Sequence, residues 1–177
     1  MDKQLTNKAY TILELFIQEP NKEFSARAIA RTKNLSHATV LKHLREIKKI
    51  GLIQKKETTL YPVFKANQQE EKYLFYKKNW LVFKLLETKT IEHIQQTTLP
   101  STIILFGSGA KGTYNKKSDI DLFIQAKETT INLEQYEKKI GYKINLLFEQ
   151  DINNLSSELK NNILNGTILY GFVKITE

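Results

Sequence analysis

Asp119 and Asp121 stand two residues apart in the run Asp119-Ile120-Asp121-Leu122-Phe123-Ile124, whose apolar residues read as a strand. On a strand an i, i+2 spacing sends both carboxylates to one face, while Ile120 and Leu122 point to the other, toward a core. Two carboxylates side by side repel unless a cation lies between them, and a hard oxygen pair of this kind suits Mg²⁺ or Mn²⁺. Just upstream lies Gly107-Ser108-Gly109-Ala110-Lys111-Gly112. A glycine-rich turn exposes backbone N–H groups, and with a Ser hydroxyl and a Lys it forms a cradle for anions such as phosphates. Cation clamp and phosphate cradle suit one reaction: in-line attack on the α-phosphate of a nucleoside triphosphate, with pyrophosphate leaving. Positioning and charge neutralisation would carry most of its rate.

Two other readings of the glycines fail. Gly107, Gly109 and Gly112 satisfy G-x-G-x-x-G, but a dinucleotide-binding unit needs a crossover helix of about ten residues or more before the next strand. Only Thr113 to Ser118 intervene. A Walker loop fails because Lys111 precedes the last glycine and no G-K-[ST] follows.

Gly107-Ser108, ten residues, then Asp119-x-Asp121 resembles the G-S-x10-D-x-D signature of the DNA polymerase β-like nucleotidyltransferase superfamily, and the short domain resembles its minimal-nucleotidyltransferase branch. The resemblance spans about residues 101–177: a strand over 102–106, the aspartate strand, a helix over 133–140, a strand over 143–148 and a helix over 155–164. It implies triphosphate contacts from Gly107 and Ser108, to which the anion cradle adds Lys111 as an expected nucleotide-binding residue. Asp119 and Asp121 become the catalytic metal ligands, with Mg²⁺ or Mn²⁺ as cofactor and an NTP, ATP by expectation, as substrate. Some minimal nucleotidyltransferases act as antitoxins that AMPylate a HEPN-type toxin, so a protein acceptor is among the partners implied. Active members usually carry a third acidic residue in the next strand. The matching position in Lys143-Ile144-Asn145-Leu146-Leu147 is Asn145, whose amide binds cations weakly and cannot act as a base. Glu149 shares the face of Asn145 but lies some 13 Å further along the strand at about 3.3 Å per residue. The alternative to an enzyme is therefore a catalytically inactive, nucleotide-binding transcription regulator.

The rest of the chain must position and address this site. Of 27 Lys and Arg against 19 Asp and Glu, 13 basic and 6 acidic residues fall within residues 1–66, so that third carries +7 of the net +8. Such asymmetry points to a polyanionic partner. Within it, Ala9, Ile12, Leu13, Phe16 and Ile17 have helical spacing up to Glu19-Pro20-Asn21, and Ser25 N-caps a short second helix ending near Asn34. A third helix runs from Ser36 to about Ile50, burying Val40, Leu41, Leu44 and Ile47 and turning Thr39, Lys42, His43, Glu46 and Lys49 outward. Gly51 ends it, and strands over 52–56 and 60–66 follow as a hairpin.

This order resembles a winged helix-turn-helix domain. The resemblance implies that Ser36, His37, Thr39, Lys42 and His43 face bases and nearby phosphates of double-stranded DNA, with Arg45, Lys55 and Lys56 on the backbone. An RNA substrate arm fits the same charge, but A-form RNA keeps its major groove too narrow for such a helix.

Residues 68–95 contain no Gly or Pro and read as one long helix, a connection over 67–97 and a candidate homodimer seam. The expected fold class is α/β (α+β), with domains 1–66 (winged helix), 67–97 (connecting helix) and 98–177 (nucleotidyltransferase, mixed sheet). With no Cys there is no thiolate site or disulfide, and three His leave little for a His-rich metal centre. No apolar run approaches a membrane span, and the N-terminus lacks a signal-peptide core, so a cytoplasmic location is expected.

Overall fold

The computed structural model describes residues 5–173; residues 1–4 and 174–177, at the two ends of the expected domains, lie outside the described residues. The chain divides into two compact units, Met1–Lys77 and Lys78–Glu177.

In the first unit Thr6 caps α1 (Asn7–Gln18) by accepting the N–H of Ala9 on its side chain. The α1 face that buries Ala9, Ile12, Leu13, Phe16 and Ile17 is the one expected from spacing. Ser25 caps α2 (Ala26–Lys33) through the N–H of Ala28, and Asn34 ends it with φ 50°, a left-handed conformation that Asn tolerates better than most residues. Ser36 caps α3 (His37–Lys49) through the N–H of Thr39.

Phe24–Ser25 forms a short strand, β1, which no hydropathy pattern announces. It pairs with β3 (Val63–Ala66), which also pairs with β2 (Ile53–Lys56), giving an antiparallel sheet of order β1-β3-β2. The expected strand over 60–66 starts only at Val63. Pro62 cannot donate to a ladder, and Thr58 Oγ1 accepts the Tyr61 N–H at 3.3 Å, which holds residues 58–61 in a turn.

The single helix expected over 68–95 is two, α4 (Glu71–Glu87) and α5 (Thr90–Thr98). Lys89 adopts φ 61° between them, its N–H donated to Leu86 O, while the Thr88 hydroxyl donates to Lys84 O and lies 2.7 Å from that of Thr90. Hydroxyls competing for backbone groups end the helix without a Gly or Pro to announce it. Among the described residues no helix is long and apolar enough to cross a membrane.

The second unit is built on a four-stranded mixed sheet of order β6-β5-β4-β7. β4 (Thr102–Leu105) is antiparallel to both β5 (Ile120–Ile124) and β7 (Thr167–Gly171), and β5 is parallel to β6 (Ile144–Phe148). The buried positions of β4 and β5 occupy both faces, as continuous apolar runs require. On one face Ile104, Phe106 and Phe123 pack with Ile152 and Ile163. The remaining helices are α6 (Gly107–Lys111), α7 (Glu134–Ile140) and α8 (Ser157–Leu164), with a 3-10 turn over Ile152–Asn154. β7 was not expected from sequence. Gly171, at φ 69°, could carry no side chain: a Cβ there would lie 1.9 Å from Ser101 O.

Candidate functional site

The glycine-rich segment is the point where β4 gives way to a helix. The Phe106 N–H donates to Asp121 O at 3.1 Å, so the chain turns at Gly107 while still tied to the aspartate strand. Gly107 has φ 63°, and a Cβ there would meet Asp121 Oδ2 at 2.9 Å. Only glycine satisfies both the left-handed backbone and this approach. Ser108 follows in the first turn of α6, and Gly109 packs so tightly that its Cβ would lie 2.8 Å from Leu105 Cδ1.

Residues 113–118 return the chain to Asp119. Tyr114 is fully buried, edge-on to Tyr142 at 5.3 Å. Asn115 closes a turn with Ser118, its N–H donating to Ser118 Oγ and its Oδ1 accepting the Lys117 N–H, both at 2.9 Å. The Ile120 N–H then donates to Lys143 O at 2.8 Å. Held on both sides, Asp119 stays exposed at the mouth of β5, and Asp121 sits half-buried one pleat further in, beside Gly107. The structure thus sets Gly107 so close to Asp121 that a side chain at position 107 would meet its carboxylate.

Asp121 and Asn145 are register partners in the parallel β5–β6 pair, and Asn145 Nδ2 donates to Asp121 Oδ1 at 3.1 Å. The position facing the aspartates from the neighbouring strand is therefore an amide. Neither nearby acid replaces it. Glu149 Oε1 accepts the Asp151 N–H at 3.0 Å and Asn154 Nδ2 at 3.2 Å, contacts that hold its carboxyl below the usual range, the Asp151 N–H first among them. Asp151 caps the 3-10 turn by accepting the Asn153 N–H. Among the described residues no group of three or more His, Asp or Glu is placed to hold a metal ion. Asp119 and Asp121 are two hard oxygen donors, a set that suits Mg²⁺, which commonly takes one or two carboxylates and fills its shell with water and substrate phosphates.

Two cavities adjoin this region. One of about 360 Å³ opens on Asp119 between Lys117, Glu137, Tyr142 and Lys143. Glu137 there accepts the Ile144 N–H and a Lys143 ammonium hydrogen bond, both at 2.9 Å, and these pull its pKa down and raise that of Lys143. The second, of about 560 Å³, is lined by Lys111 with Ser156, Asn161 and Asn165 around α8. Lys111, grouped with Gly107 and Ser108 by sequence, thus borders the α8 cleft and not the cavity beside Asp119.

In the first unit, Lys42 and Arg45 are exposed on α3 as expected. His43 is not: it is 5% exposed, and its Nδ1 lies 2.8 Å from Glu46 Oε2. The expectation that His43 faces bases is thereby corrected. At i+3 from Val40 it falls on the border of the buried stripe, and the Glu46 carboxylate satisfies its ring there. Ser36 and Thr39 place their hydroxyls 2.7 Å apart at the cap. Lys55 pairs with Glu57 at 2.5 Å and Lys56 with Glu23 at 3.0 Å. His37, exposed at the start of α3, lines a cavity of about 430 Å³ with Arg27, Ala30 and Arg31. Those arginines were not singled out from sequence, although their i, i+4 spacing places them on one helix face.

No curated protein and no solved structure matches the chain significantly. Residues 88–172, the segment that holds Gly107, Ser108, Asp119 and Asp121, match the family model described as Polymerase beta, Nucleotidyltransferase, so this part of the chain is similar to that family.

Proposed function

We propose that the protein is a divalent-cation-dependent nucleotidyltransferase that transfers NMP from an NTP to an acceptor hydroxyl, and that its first unit is a winged helix that binds duplex DNA. The observation that carries the catalytic part is the seating of Gly107 against Asp121, which joins the phosphate-facing turn to the carboxylate pair. Asp119 and Asp121 would hold Mg²⁺ or Mn²⁺, which when bound neutralises the triphosphate and the charge developing in the transition state. The N–H groups that open α6 and the Ser108 hydroxyl hold phosphate oxygens. The acceptor oxygen attacks the α-phosphorus as the bond to the pyrophosphate oxygen breaks and pyrophosphate leaves. Asn145 cannot take the acceptor proton, which leaves to water or to a base brought by the acceptor. ATP is the expected donor, and a protein acceptor, of which a HEPN-type toxin is the implied example, follows from the resemblance of residues 101–177 to the minimal nucleotidyltransferases.

The test is incubation with each α-labelled NTP, Mg²⁺ or Mn²⁺ and cell extract. Label should enter a macromolecule with the wild type and not with Asp119→Asn, Asp121→Asn. No product with any NTP would sink the catalytic reading and leave the second one, a nucleotide-binding regulator. The Asn145 to Asp121 hydrogen bond favours that alternative, since it fills the third acidic position with a neutral group.

The DNA reading draws on the order α1-β1-α2-α3-β2-β3 and on the exposed His37, Lys42 and Arg45. Selection from random duplexes should yield a motif. A homodimer, as half-site recognition would use, is checked by sedimentation with and without DNA.

A further inference from the structure

We propose that the cavity between α2 and α3 is a seat for backbone phosphates of duplex DNA, formed by Arg27, Arg31 and His37, and that it, rather than the β2–β3 hairpin, provides the main backbone contact. This rests on the reading of the first unit as a DNA-binding domain. α2 buries Ala26 and Ile29, which turns Arg27 and Arg31, one helical turn apart, outward. Between them Ala30 leaves room, and across the gap stands His37, so a cavity of about 430 Å³ is walled by three nitrogen-bearing side chains. It has space for a phosphate group and its first waters.

The charge around it is uncompensated. Among the described residues no side-chain hydrogen bond or ion pair involves Arg27, Arg31 or His37. The other cations expected to meet the DNA backbone differ: Lys55 and Lys56 of the hairpin lie against Glu57 and Glu23. A phosphate approaching the hairpin displaces a carboxylate from each lysine, whereas one approaching α2 meets guanidinium donors that are already free. The guanidinium fork also matches phosphate oxygens in a bidentate way that an ammonium cannot. His37 opens the 13-residue α3, so the seat lies at the positive end of its dipole. A phosphate held there would fix the position of α3 on the duplex, with Lys42 and Arg45 exposed further along the same helix.

The experiment is the salt dependence of binding to a fluorescein-labelled mixed-sequence duplex of about 25 base pairs, followed by anisotropy. Each phosphate contact contributes about 0.9 to the slope of log K against log salt. Arg27→Ala with Arg31→Ala should lower the slope by close to 2 and weaken binding on the order of tenfold or more. Lys55→Ala with Lys56→Ala should change the slope less. Arg27→Lys with Arg31→Lys, which keeps both charges, should restore most of the slope and so separate a lost contact from a lost fold. If the wild type binds and the α2 variant keeps its slope, the seat is overturned while the DNA reading stands. If the wild type binds no duplex even at low salt, the DNA reading fails and the seat fails with it.

Discussion

Asn145 donates its side-chain N–H to Asp121 Oδ1 at 3.1 Å across the parallel pair β5–β6, where the two residues are register partners. If Asp119 and Asp121 hold a cation as proposed, a carboxylate at that position would face the pair as a third ligand and a proton acceptor. In its place an amide occupies one lone pair of Asp121 and adds no charge.

Asn145→Asp tests what that exchange costs. Without a cation, three neighbouring carboxylates repel, so the variant should melt below the wild type at pH 7 and gain more than the wild type from Mn²⁺. With labelled NTP and acceptor, transfer should rise roughly tenfold or more, the scale of an added general base. An unchanged response to Mn²⁺ would show that position 145 does not reach the metal.

Gly107→Ala should damage the site through the backbone. Its φ of 63° costs a non-glycine residue roughly 1–2 kcal/mol, and the new Cβ would press on Asp121 Oδ2 at 2.9 Å. Urea unfolding should show at least that loss, and NTP binding should weaken even where the protein remains folded.

Glu137 links α7 to the start of β6, and its pKa is lowered first by the Ile144 N–H and then by Lys143. A depressed carboxyl pKa stabilises the fold at all pH values above the ordinary glutamate range. That contribution fades as pH falls through the folded-state pKa. Glu137→Gln should therefore lower the melting temperature at pH 7 and converge with the wild type in acid. Glu137→Ala leaves the Ile144 N–H without its acceptor and should cost about 1 kcal/mol or more.

Lys77 is 1% exposed, and burial lowers its pKa to about 8. Here the sign is opposite. The unfolded chain binds the proton more tightly than the folded one, so stability rises with pH between about 8 and the ordinary lysine value. Lys77→Met keeps the apolar stem and should abolish that rise, as measured by urea unfolding at pH 7 and 9.5.

The elements around the site were legible where short-range rules suffice. Spacing and breakers gave α1, Ser25 and Ser36 announced the starts of α2 and α3, and the apolar run at 102–106 gave β4 to within one residue. The division at Lys89 was not legible, because left-handed lysine and competing threonine hydroxyls leave no Gly or Pro signal. β1 was missed because two residues carry no periodicity, and their strand character comes from pairing with β3, about forty residues later.

By itself the sequence determined the chemistry available: two aspartates at strand spacing behind a glycine-serine turn, an amide in the next strand, no thiol, and a charge excess confined to the first third of the chain. These follow from residue type and periodicity, which act over a few positions. Tertiary structure decided which of those residues meet. It set Gly107 against Asp121 and Asn145 beside it, sent Lys111 to the α8 cleft, buried His43, and placed Arg27 and Arg31 around one cavity with His37. Contacts of this kind depend on strand register and helix packing between residues distant in the chain, and no local pattern encodes them.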